Sequence, residues 1–148
     1  MLTNKNPLMM LIVFMLWSFS VLAGKPLILS TQDGAIEGYD PVAYFTQAKP
    51  VKGSDEYSFE WNGATFKFSS QEHLDLFEAA PEKYTPQYGG YCAYAVSEGA
   101  TASTVPEAWT IVDDKLYLNF SLGVRNLWSK DIPGRVARAD ANWPDVLN

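Results

Sequence analysis

The 148-residue chain holds one cysteine, Cys92, and one histidine, His73. A lone cysteine makes no internal disulfide, so an oxidising compartment would leave it as a free thiol, an intermolecular bridge or a metal ligand. Two soft ligands fall short of the four that structural zinc takes. There is no Cys-x-x-Cys for disulfide exchange, and Gly89-Gly90 has neither the lysine nor the spacing of a phosphate-cradling loop. Basic residues are also scarce, with 11 Lys+Arg against 17 Asp+Glu and no basic stripe. Nucleic acid is therefore a poor partner. Internal repeats and low-complexity segments are absent.

Methionine is confined to Met1, Met9, Met10 and Met15, within a segment that reads as a leader. Lys5 is the only charge before Lys25, and Leu8 to Ala23 is an apolar run broken only by Ser18 and Ser20. Val21-Leu22-Ala23 supplies the small or aliphatic residues that a signal peptidase accepts. The run is short for a spanning helix, which needs ~20 apolar residues. The expectation is a signal peptide over 1–23, cleavage after Ala23, and a periplasmic or secreted product with no membrane span. The remaining domain, 24–148, would then lack methionine, which excludes a methionine-lined copper carrier. Lys+Arg falls from 11 to 10 while Asp+Glu stays at 17, a net charge of −7. A chain of this length suits one domain with a respectable core.

The pattern predicts an α+β fold of two antiparallel hairpins packed with short helices. Residues 24–34 read as an extended entry arm. Asp40-Pro41 reads as an N-cap followed by proline at the first helical position, with Val42, Tyr44 and Phe45 as core candidates. Asn62-Gly63 is a two-residue type I′ turn, pairing Trp61 with Ala64, Phe59 with Phe66 and Tyr57 with Phe68 on one buried face. Ser69 and Glu72 form a capping box for a helix that buries Leu74, Phe77 and Ala80 before Pro81 stops it. Trp109, Ile111, Leu116 and Leu118 share one face of a second hairpin turning at Asp113-Asp114. Ser121 caps a helix with Val124, Leu127 and Trp128 inward. Pro133 opens a last helix with Val136, Ala139 and Trp143 at helical spacing.

The stretch from Pro86 to Ser97 concentrates the chemistry. Paired glycines, Gly89 and Gly90, signal positive φ or a close backbone approach. They deliver Cys92 among Tyr88, Tyr91 and Tyr94, and a helix starting there would favour the thiolate. The competing reading makes Cys92 a small buried hydrophobe between tyrosines. For His73 the corresponding reading is a half-exposed residue near a helix start.

Several motifs in order resemble an exported YHS-domain protein. They are Gly38-Tyr39-Asp40-Pro41-Val42-Ala43-Tyr44-Phe45, Trp61-Asn62-Gly63-Ala64, Phe68-Ser69-Ser70, Pro81-Glu82-Lys83-Tyr84 and Tyr88-Gly89-Gly90-Tyr91-Cys92-Ala93-Tyr94-Ala95. Val112-Asp113, Leu116-Tyr117-Leu118-Asn119 and Asn142-Trp143-Pro144 carry the likeness almost to the C-terminus, with its core over 36–97. The resemblance implies metal-related ancestry, since the wider family includes modules of copper-transporting ATPases with metal-binding cysteines. Where those modules carry three cysteines, this chain has Ala43, Ser69 and His73.

Three functions follow for testing. The first is a non-enzymatic binding module of metal-related ancestry, copper being the candidate metal and His73 with Cys92 its ligands, because Cu(I) accepts two or three ligands and prefers thiolate. Asp40, Pro41, Tyr88, Gly89, Gly90, Tyr91 and Tyr94 would then shape the pocket. The second is an envelope interaction or scaffold domain that has lost the metal and meets a protein partner. The third is a thiol-dependent enzyme or redox protein using Cys92, with His73 as its base.

Overall fold

The computed structural model describes residues 24–148, and the proposed leader lies outside them. The architecture is α+β, with three two-stranded antiparallel sheets interleaved with short helices. The entry arm closes into β1 (Ser30–Thr31) and β2 (Gly34–Ala35). Helix α1 (Ala43–Thr46) precedes the hairpin β3 (Ser54–Trp61) and β4 (Ala64–Phe68), then α2 (Gln71–Ala79) and α3 (Pro81–Tyr84). Helix α4 (Ala93–Ser97) leads through a loop to the hairpin β5 (Trp109–Val112) and β6 (Lys115–Leu118). Helices α5 (Leu122–Trp128) and α6 (Ile132–Asn142) complete the fold. Among the described residues no helix is long and apolar enough to cross a membrane.

The first hairpin turns at Asn62 (φ 47°) and Gly63 (φ 80°), the two left-handed residues that a type I′ turn demands. Trp61 pairs with Ala64 and Phe59 with Phe66, as the turn predicts. The pairing of Tyr57 with Phe68 does not form, because Phe68 pairs with Ser54 and the register shifts between Ser54 and Ser58. Upstream contacts explain the shift: Tyr39 bridges Lys52, and Gly53 donates its N–H to the Gly38 carbonyl at 2.9 Å. These hold the start of β3 close over Lys67, so the intervening residues bulge. Tyr57 still packs against the same core.

Two cores result, and the second hairpin divides them. Phe66, Phe68 and Phe77 stack in the first, with ring centroids of Phe66 and Phe68 at 4.8 and 5.1 Å from Phe77. Leu116 and Leu118 close that core from one face of β6. Tyr117, between them in sequence, points to the opposite face and joins Tyr88, Tyr91, Val96, Trp128 and Ala139 in the second core. That follows from the two-residue period of a strand, with both faces of this hairpin covered.

Ser121 caps α5, accepting from the Val124 N–H at 3.1 Å. Trp128 is fully buried, whereas Leu127, expected inward, is 46% exposed. Neighbouring helical positions point ~100° apart, so the larger side chain takes the inward direction and turns Leu127 out.

Candidate functional site

Asp40 is the convergence point of the first third of the chain. Its Oδ1 accepts from the N–H groups of Val42 (2.8 Å) and Ala43 (3.2 Å), capping the turn that Pro41 opens. Its Oδ2 accepts from the Ser69 N–H (2.9 Å), the Ser69 hydroxyl (2.7 Å) and His73 Nδ1 (2.6 Å). A carboxylate offers about four lone-pair positions, so five donors saturate it. The expected capping role of Ser69 is therefore corrected. Ser70 caps α2, its hydroxyl accepting from the His73 N–H at 3.2 Å, while Ser69 is drawn to Asp40.

His73 is buried, at 7% exposure, rather than half-exposed. Nδ1 faces Asp40, and in the neutral ring donation there leaves Nε2 as an acceptor. The Thr46 hydroxyl lies 3.2 Å from Nε2 and also 3.2 Å from the Val42 carbonyl, with one proton to give. Asp40, His73 and Thr46 thus stand in the order of an acyl-transfer triad. Among the described residues, neither His73 nor Thr46 lines any of the four principal cavities.

Cys92 occupies a separate neighbourhood. It stands at the N-cap of α4 and is 1% exposed. Its Sγ accepts from the Phe120 N–H at 3.3 Å and lies 3.6 Å from Asn119 Oδ1, which also accepts from the Tyr94 N–H at 3.1 Å. Among the described residues, His73 and Cys92 share no hydrogen-bond partner. Among the described residues, no group of three or more His, Cys, Asp or Glu gathers as a metal cage.

The residues before Cys92 serve chain passage. Tyr88, Gly89 and Gly90 all have positive φ, at 57°, 60° and 85°. A Cβ on Gly89 would stand 1.8 Å from the Leu27 carbonyl oxygen, because the entry arm crosses here and the Leu29 N–H donates to the Gly89 carbonyl at 2.9 Å. Tyr91 donates its hydroxyl to the Pro26 carbonyl at 2.9 Å, and the Tyr94 ring lies beneath the Arg135 guanidinium at 4.0 Å. Tyr88 and Gly89 also line a 190 Å³ cleft with Trp61 and Trp143.

A family model described as the YHS domain matches residues 42–88. The chain is a YHS-domain-containing protein. No curated protein and no solved structure matches it. The matched segment runs from the start of α1 through α3 to Tyr88 and carries the Asp40 ligand shell; Asp40 and Cys92 lie just outside it.

The YHS domain is associated with metal, and the donor set here can be weighed against that role. Ala43, Ser69 and His73 are brought together, all three bonded to Asp40. Ala43 offers no side-chain ligand, Ser69 gives its proton to Asp40, and His73 retains a single nitrogen. One neutral nitrogen does not fit a zinc or copper centre. Sequence reasoning missed Thr46 and Asn119, whose roles depend on partners 27 and 25 residues away. No local pattern announces either.

Proposed function

We propose that this chain is an exported, non-enzymatic YHS-domain binding module of metal-related ancestry, in which the former metal place has become a junction made of protein alone. One observation carries this reading: the Asp40 carboxylate takes five hydrogen bonds, and these come from the three family ligand positions and the Val42 and Ser69 backbone. The junction ties α1 to the start of α2 without a ligand. Recognition then belongs to the surface and clefts of the domain, as in the scaffold alternative, with an envelope ligand or partner. The leader supports export, and mass spectrometry of protein from the native envelope should find Gly24 as the first residue.

The rival is a copper site shared by His73 and Cys92. Anaerobic Cu(I) titration of the wild type, His73→Ala and Cys92→Ser separates the two. Equal uptake by all three is the expected result. One equivalent bound by the wild type and lost in either variant would overturn the proposal.

A further inference from the structure

The C-terminal part of the chain, outside the family-matched segment, carries a cavity of 290 Å³ between the β5–β6 turn and the first turns of α6. Its walls are apolar, from Val112, Ile132, Pro133 and Val136, and two carboxylates line it, Asp113 and Asp140. No lysine or arginine does. Asp113 is placed by the β5–β6 turn, where its φ is 51°, and Asp140 by α6 beside the buried Ala139; both carboxylates are exposed, at the rim of the cavity. The Tyr88 hydroxyl donates to Asp140 Oδ1 at 2.8 Å, which fixes that carboxylate and leaves Oδ2 without a partner among the described residues.

A second feature points to a ligand. Tyr117 is only 3% exposed, yet it lines the cavity, and its hydroxyl has no hydrogen-bond partner among the described residues. The side chain is buried while its hydroxyl opens on the cavity, so the partner of that hydroxyl must come from whatever fills the cavity. Two aromatic rings pack near that of Tyr117, Trp128 at 5.2 Å and Tyr88 at 6.0 Å. Burial first, then the charges of Asp140 and Asp113, raise its pKa, in keeping with both carboxylates facing the phenol.

We propose that this cavity binds a small organic ammonium ion with a short apolar body. The ammonium donates to Asp113 and Asp140 and to the Tyr117 hydroxyl oxygen, and the body lies against Ile132, Pro133 and Val136. Two carboxylates with no countercharge select a cation, and the apolar walls select an organic one over a bare metal ion. The volume is at the small end of ligand sites, which restricts the guest to a monoamine of modest size. The inference goes beyond the metal-free reading and stands whether or not His73 and Cys92 take copper.

Phenethylammonium is a suitable probe and 2-phenylethanol its neutral counterpart. They are titrated into the full-length protein and followed by amide and tyrosine NMR shifts. Phenethylammonium should saturate and move the Tyr117 signals, and 2-phenylethanol should bind at least about tenfold more weakly, as loss of one charge-assisted hydrogen bond implies. Asp113→Asn and Asp140→Asn should each lower ammonium affinity by about tenfold. Asn tolerates the left-handed turn position, and at 140 it can still accept from Tyr88. Unchanged spectra outside the cavity will certify the fold. Equal binding of amine and alcohol, affinity unaffected by either substitution, or no saturation by ~10 mM would each overturn the proposal.

Discussion

Asp40 carries more of this domain than any other single residue. Replacing it with alanine strands buried donors at both helix starts and on His73. Each buried unsatisfied group costs about 1–3 kcal/mol, so Asp40→Ala should lose roughly 3–5 kcal/mol in urea unfolding. A loss under about 1 kcal/mol would mean that water replaces the carboxylate and that the junction is open. The capping half of this role was legible, since Asp-Pro before an apolar run is a helix-start signal. The other half was not. Ser69 and His73 come from 29 and 33 residues downstream, and only the packing of β4 and α2 on α1 brings them to Oδ2. His73 shows the same limit: one imidazole in a polar helix turn has no sequence mark separating a solvated ring from one clamped to a carboxylate.

At the scale of the element, adjacent serines divide two tasks. Ser70→Ala should cost about 1 kcal/mol, the usual value of an N-cap. Its effect should appear as faster amide exchange in the first turn of α2. Ser69→Ala should leave that exchange unchanged and act instead on His73; the reverse pattern would restore Ser69 as the cap. The capping box misled because Ser69 and Ser70 are both competent caps, and the choice is made by Asp40 from outside the helix. Hairpins were read more fully. Asn62-Gly63 and Asp113-Asp114 both adopt the positive φ values their turns require, and strand alternation then places Trp109, Ile111, Leu116 and Leu118 on one face. The error at Tyr57 lies at the far end of β3, where contacts through Lys52 and Gly53 override the turn. What alternation did not reveal is that the second hairpin's other face is buried too, by α5 and α6.

For the molecule as a whole, that shared hairpin makes the two cores depend on each other. The buried tyrosines of the two cores give a handle on the coupling. Burial is the leading cause raising the pKa of Tyr44, Tyr88, Tyr91 and Tyr117 above the ordinary 10.0. In the folded state these phenols keep protons that the unfolded chain releases. The unfolded chain binds fewer protons there, so stability is complete below pH 10.0 and declines as pH rises further. Absorbance at 295 nm should therefore show part of the phenolate signal appearing late, together with the loss of near-ultraviolet circular dichroism. Ionisation of all eight tyrosines in one step near pH 10, with the fold retained, would contradict the burial described here.

The junction of protein groups at Asp40 turns on His73, and long-range ¹⁵N-edited NMR of its imidazole tests that junction most directly. The expected result is a proton on Nδ1, a bare Nε2, and ring signals unmoved by one equivalent of Cu(I) under anaerobic conditions. A bare Nδ1, or ring signals that shift stoichiometrically with Cu(I), would contradict it.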